Sequence, residues 1–237
     1  MPVMKENLLR NAHDTTFSPT GLYNFVSGSL LTDDSGNGKN LTQQDAPTDD
    51  IDFIYNEAEG LTHFALYRND SSDFQYTGAM SYCCLVHTTG WIADGVTQRA
   101  QLGTVESVPA NDQRWGLQIR ETGEIRYAHQ NSAALHEAVA DRRIRTHHQW
   151  HHVAFTRDSN GTGIKLFLDG VQIHSETLSA GPGTTGTAYY SIGELHNYSG
   201  SINNVAAVTS CAIYDQELSP NQIKYLARKT LGYHRVQ

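Results

Sequence analysis

Residues 150–178 read Trp-His-His-Val-Ala-Phe-Thr-Arg, Asp-Ser-Asn-Gly-Thr-Gly, Ile-Lys-Leu-Phe-Leu, Asp-Gly, Val-Gln-Ile-His-Ser-Glu-Thr-Leu. Three runs of aliphatic, aromatic and β-branched residues are cut by turn chemistry every five to eight positions. Such runs are too short for packed helices and have the right length for strands. Asp169-Gly170 is the decisive pair. Two residues that both tolerate positive φ form the tight turn that joins neighbouring antiparallel strands. This stretch can therefore fold only as consecutive hairpins.

The same grammar recurs. In 115–130, Trp115, Leu117 and Ile119 alternate with polar residues, Glu-Thr-Gly-Glu turns, and Ile125 and Tyr127 resume the alternation. Segments 186–195 and 205–215 read as two more strands. One helix stands apart: Ser219 is its N-cap, Pro220 its first position and Gln222 the third residue after the cap. Ile223, Leu226, Ala227 and Leu231 then share a face, and Gly232 closes it. Segment 132–144 is ambiguous, with helical propensity but a place between strands. The pattern predicts an all-β, two-sheet antiparallel jelly-roll sandwich with a short C-terminal helix at 219–231. An arm over 1–20 precedes a single domain over 21–237. At 237 residues and 38% hydrophobic content, the chain can bury one sizeable core.

The formal charge of −8 at pH 7 repels a phosphate backbone, so nucleic acid is not an expected partner. No run is apolar and long enough to insert in a membrane. The first residues lack a signal-peptide pattern, and synthesis in a host cytoplasm is the expectation. Cys83, Cys84 and Cys211 do not form a disulfide framework. Neighbouring strand residues point to opposite faces, so buried free thiols are expected. His147, His148, His151 and His152 look like a metal run. On a strand, however, residues four apart lie roughly 13 Å from each other, too far to share one ion. One of His151 and His152 should pack inward while the other faces solvent or a rim.

Three blocks carry a family resemblance. Residues 150–173 resemble the signature hairpins of laminin G-like (LamG-like) domains, in the concanavalin A-like lectin/glucanase superfamily. Residues 192–226 are similar to that family's closing stretch, and Asp-Asp-Ser-Gly-Asn-Gly-Lys-Asn-Leu-Thr at 33–42 to its opening loop. The resemblance implies the sandwich fold and, for the phage virion-associated kind, a non-enzymatic interaction module on a particle surface. Capsid decoration and tail association both fit. Its partners would be other virion proteins, host glycans, or both, in a homo-oligomeric assembly. A free-standing carbohydrate-binding lectin is the alternative, and a concanavalin A-like glycosidase a second.

Fold alone does not choose among these. Asp50 and Asp52 alternate as a glycosidase carboxylate pair would, yet Ile54 stands at the third position. No other nucleophile signature is present, so no enzyme is expected. Asp33 and Asp34 are the calcium candidates implied by the resemblance, calcium being a taker of oxygen ligands. Trp91, His196, Asn197 and Tyr198 are the ligand-binding candidates, offering aromatic platforms beside polar groups. Trp91 and Tyr198 could equally serve as packing residues.

Overall fold

The computed structural model describes His13 and residues 15–24, 32–44, 65–69, 73–88, 99–108, 113–120, 122–131, 134–145, 149–183, 187–193 and 206–231. Alternation is converted directly into two antiparallel sheets. The first, six-stranded among the described residues, runs β1 (Gly21–Asn24), β13 (Ala206–Tyr214), β4 (Met80–Thr88), β9 (Trp150–Arg157), β10 (Gly163–Leu168), β11 (Val171–Thr177). The second has seven: β2 (Thr42–Gln44), β3 (Ala65–Asn69), β12 (Thr187–Gly193), β5 (Arg99–Val108), β6 (Gln113–Arg120), β7 (Glu124–Asn131), β8 (Ala134–Arg143). The ambiguous segment is thus a strand. Its pairing with β7, Tyr127 opposite Ala138, places Ala138 and Ala140 in the core. Tertiary pairing overrides helical propensity there.

Inward residues of both sheets meet in an aromatic core. Trp115 lies with its ring centroid 5.2 Å from Tyr82, 5.7 Å from Phe155 and 5.9 Å from Tyr190. Its indole N–H donates to the Phe74 carbonyl at 2.9 Å, so the polar edge of the ring is satisfied. Arg157 is wholly buried. It donates to the Gly78 carbonyl at 2.9 Å, to Tyr127 Oη at 2.9 Å and to the Tyr76 carbonyl, tying β9 to β7 and to the loop before β4.

The six-stranded sheet has a second apolar face. Leu22, Cys83, Ala154, Phe167, Ala212 and Tyr214 point away from the inter-sheet core and are met by helix α1 (Pro220–Leu231) through Ile223 and Leu226. The helix begins as its sequence predicts. Ser219 Oγ and the Gln222 amide close a reciprocal cap, with Ser219 N–H donating to Gln222 Oε1 at 2.8 Å. Cys83 faces this outer cluster and Cys84 the inner core, as alternation requires. All three thiols are free and buried, and burial pushes Cys211 up to about 12, leaving it un-ionised.

Left-handed backbone shapes the turns at Asp169-Gly170 and at Gly123. Asp169 (φ 53°) and Gly170 (φ 77°) form the hairpin turn expected from their sequence. Gly123 (φ 82°) turns β6 into β7, and its carbonyl accepts the Ile144 amide at 2.8 Å. A Cβ at Gly123 would strike the Ile144 carbonyl oxygen. Gly123→Ala should therefore cost about 2 kcal/mol or more, combining backbone strain with a steric clash. Urea denaturation checks this; an unchanged midpoint would show that the turn can relax.

Candidate functional site

Trp91, His196, Asn197 and Tyr198 lie outside the described residues, as do Asp50, Asp52, His147 and His148. The described candidates are Asp33, Asp34, His151 and His152.

Asp33 is buried and ties its loop together. Its Oδ1 accepts the Leu22 and Ser35 amides, both at 3.0 Å, and its Oδ2 accepts the Lys39 amide at 2.9 Å. Burial acts to raise its pKa, but hydrogen bonds from Ser35, Leu22 and Lys39 outweigh it, leaving the group below its ordinary value. Asp34 is exposed and accepts from Asn24 Nδ2 at 3.0 Å. Among the described residues, no three His, Cys, Asp or Glu side chains gather as a metal centre.

The histidine expectation needs correction. His151 and His152 do occupy opposite faces of β9, but neither is open to solvent. His151, on the inner face, places Nδ1 3.1 Å from Asp169 Oδ2. His152, on the outer face, is covered by His13 of the N-terminal segment, Nε2 to Nε2 at 3.2 Å. Its cover comes from 139 positions away, which local spacing cannot reveal. His129 is a third buried imidazole. It sits 3.1 Å from Tyr127 Oη and 2.9 Å from the Ala180 carbonyl. Burial drives its pKa down to about 4, with Ala180 opposing and Arg157 and His136 assisting. It is a neutral member of the Arg157–Tyr127 polar chain, inside the core.

The outer face of the seven-stranded sheet is of a different kind. Trp115, Leu117, Ile119, Ile125 and Tyr127 point inward, so Gln118 and Arg126 point outward, joined in register with Gln101. Arg126 Nη1 donates to Gln118 Oε1 at 2.8 Å, Gln118 Nε2 to Gln101 Oε1 at 2.6 Å, and Gln101 Nε2 to the Gly103 carbonyl at 3.0 Å. Every link donates in the same direction, and such chains polarise cooperatively. Beside this row runs a line of small residues: Ser191 opposite Thr104, Thr104 opposite Gly116, Gly116 opposite Ala128. The Ser191 hydroxyl is buried and has no hydrogen-bond partner among the described residues.

The row reaches the surface at β8. Arg126 Nε donates to Glu137 Oε2 at 2.7 Å, and Arg120 Nη2 lies 3.3 Å from the same oxygen. Glu124 takes Arg143 at 2.7 Å and Arg120 at 3.6 Å. The side chains of Arg120, Glu137 and Arg143 are 31%, 39% and 44% exposed. Both carboxylates are committed to guanidinium partners, so the edge is a network of charge-assisted hydrogen bonds. The three arginines exceed the two glutamates by one charge, in a chain whose total is −8. Sequence reasoning missed this site. Its signal was the polar half of each alternating strand, in which Gln118 and Arg126 recur opposite Trp115, Leu117 and Tyr127.

Comparisons with known proteins agree with this architecture. A laminin G family profile, described as the concanavalin A-like lectin/glucanases superfamily, matches residues 57–224. The binding domain of botulinum neurotoxin serotype D superposes with a TM-score of 0.66 at 16% identity, covering 90% of this chain and 51% of that one. A botulinum neurotoxin type C structure gives 0.65 at 14% identity over 90% and 51%; cell entry of that toxin is described as dependent on interaction with two ganglioside molecules. The binding domain of botulinum neurotoxin DC, in complex with rat synaptotagmin II, gives 0.65 at 13% identity over 92% and 52%. The chain spans about half the length of these neighbours, and at such identities they share its fold alone. A search of curated protein sequences yields no match.

Replacing Asp33 should show its stapling role. Asp33→Asn is expected to lose about 2 kcal/mol at pH 7, because an amide cannot accept all three backbone N–H groups. The carboxylate's contribution is present above its unfolded pKa of about 3.9 and is lost as pH falls through the lower folded value. The gap between wild type and variant should therefore narrow below about pH 4 in urea denaturation. A gap that stays constant to pH 3 would show that ionisation does not matter there.

Proposed function

Because the chain belongs to the concanavalin A-like lectin/glucanases superfamily, we propose that it is a non-enzymatic binding module that recognises a glycan at the exposed β8 edge of its seven-stranded sheet. The observation that carries this reading is the polar row Gln101–Gln118–Arg126–Glu137, on the one sheet that α1 does not cap. Gln101, Gln118 and Arg126 are buried and brace the exposed Arg120, Glu137 and Arg143 side chains, which offer fixed donors and acceptors to sugar hydroxyls at little ordering cost. The surplus guanidinium at the β8 edge favours a sugar bearing a carboxylate. Binding domains with ganglioside and protein partners among the structural neighbours support the class of function, with a protein partner as the other outcome.

The wider setting inferred from the sequence, a virion surface, adds that the module rides on a particle. Co-sedimentation with purified particles supports that setting, and recovery only in the soluble fraction contradicts it. Calcium at the opening loop belongs to the same proposal. Chelation should leave glycan binding intact if the β8 edge alone carries it.

A glycan array followed by titration calorimetry tests the site. Binding to acidic glycans is expected, weakening with added salt. Arg120→Ala, at the exposed end, should weaken it about tenfold, the loss of one charge-assisted hydrogen bond. Lys165→Ala, on the opposite sheet, should not. No glycan binding, or equal binding by all variants, would overturn the proposal.

A further inference from the structure

His13 and residues 15–20 are fixed to the outer face of the six-stranded sheet by side chains remote in sequence. His13 donates its backbone N–H to Ser210 Oγ at 3.0 Å, and its carbonyl accepts Asn24 Nδ2 at 3.3 Å. The His13 ring sets Nδ1 2.8 Å from Ser210 Oγ and Nε2 3.2 Å from His152 Nε2. Ser210 Oγ donates to Asn24 Oδ1 at 2.7 Å. Both imidazoles are buried, His13 at 2% and His152 at 0% exposure. Immediately after, Phe17 (φ 64°) and Ser18 (φ 53°) both adopt left-handed backbone, a strained reverse turn closed by Ser18 N–H to the Thr15 carbonyl at 3.0 Å. Beyond the turn, Thr20 N–H to the Ile213 carbonyl at 2.7 Å and the Phe17 ring against Tyr225 hold the chain independently of His13.

A proton count shows what the contact requires. The Nε2···Nε2 hydrogen bond needs one nitrogen protonated and the other bare. With Ser210 donating to Asn24, His13 Nδ1–H donates to Ser210, His13 Nε2 is the acceptor and His152 Nε2–H the donor. His152 Nδ1 is then bare, and among the described residues it has no partner. One further proton must go either to His13 Nε2, setting two N–H groups against each other, or to His152 Nδ1, creating a buried cation with an unmet donor. Neither can be accommodated while the segment is docked.

We propose that the His13–His152 contact is a proton-sensitive clasp, which holds the N-terminal segment on the sheet at neutral pH and releases it at the Phe17–Ser18 turn on acidification. The charged and titratable groups facing the pair among the described residues do not offset the added charge. Asp169 already accepts the His152 amide at 3.0 Å and His151 Nδ1 at 3.1 Å. Asp34 is engaged with Asn24 Nδ2. On β4, His87 lies along the same face, its ring against Trp150, and can only add positive charge. The face that α1 turns inward, Ile223, Leu226, Ala227, Thr230 and Leu231, carries no charge. Burial, and then His13, push the His152 imidazole down to about 3 against the pull of Asp169. An imidazole kept neutral when docked, but titrating near 6.5 once released, makes docking complete above about pH 6.5. Docking then weakens roughly tenfold per pH unit below that value, down toward the docked pKa.

NMR-detected hydrogen exchange of the full chain, corrected for intrinsic exchange rates, tests the clasp. Between pH 7.5 and 5.0 the His13 amide should lose at least tenfold protection. The Ile223 amide, bonded to the Ser219 carbonyl at 3.0 Å, should keep its own. In the double variant His13→Gln, His152→Gln, which can pair without titrating, the pH dependence of the residue 13 amide should vanish. Equal protection of the His13 amide at both pH values, or persistent pH dependence in the double variant, overturns the clasp. So does loss of protection on adding EDTA at pH 7.5, because a metal ion rather than a shared proton would then join the two nitrogens. If the double variant does not fold, side-chain nitrogen shifts of the wild type decide. Both rings should stay neutral for as long as the His13 amide is protected, and a protonated ring in the docked segment contradicts the proposal.

Discussion

The fold depends on the contact of two sheets around Trp115. Its indole touches Tyr82 and Phe155 from one sheet and Tyr190 from its own, and its one polar atom is satisfied by Phe74. Such a core demands strict alternation, since a one-residue slip would exchange every inward side chain for an outward one. The polar groups it does contain are paired. Arg157 is spent on two carbonyls and Tyr127, and Tyr127 in turn meets a neutral His129. These groups fix the register between sheets, because a misaligned Arg157 would be a buried charge with unmet donors.

Once the inner faces are joined, the two outer faces differ. On the outer face of the six-stranded sheet, an apolar cluster is closed by α1, and the polar part at Ser210 and His152 is covered by His13. The seven-stranded sheet carries amides, hydroxyls and guanidinium groups in cross-strand rows. Stability needs no such row, since apolar or exposed charged residues would meet the demands of the sheet more cheaply. The row is buried and surfaces only at the arginine-rich β8 edge.

Much of this was legible from local chemistry. Asp169-Gly170 gave its hairpin, Ser219 and Pro220 gave the start of α1, and the opposite faces of Cys83 and Cys84 followed from strand geometry. Long-range pairing was not legible. Segment 132–144 has the composition of a helix and becomes a strand because β7 offers it an edge. His152 is sealed by His13, and Asp33 serves the Leu22 and Lys39 amides; nothing in the sequence near either residue announces these partners. The polar row escaped notice for the same reason. Gln101, Gln118 and Arg126 sit 17 and 8 positions apart, and only the register aligns them.

Recognition is proposed to lie at the exposed β8 edge of the seven-stranded sheet. Amide chemical-shift mapping of the full chain during titration with a carboxylate-bearing oligosaccharide tests it most directly. Shifts should concentrate at Arg120, Arg126, Glu137 and Arg143, with little change at Ala154, Phe167 or α1. Saturating shifts centred on the six-stranded sheet or on α1, with the β6–β8 edge unmoved, would contradict it.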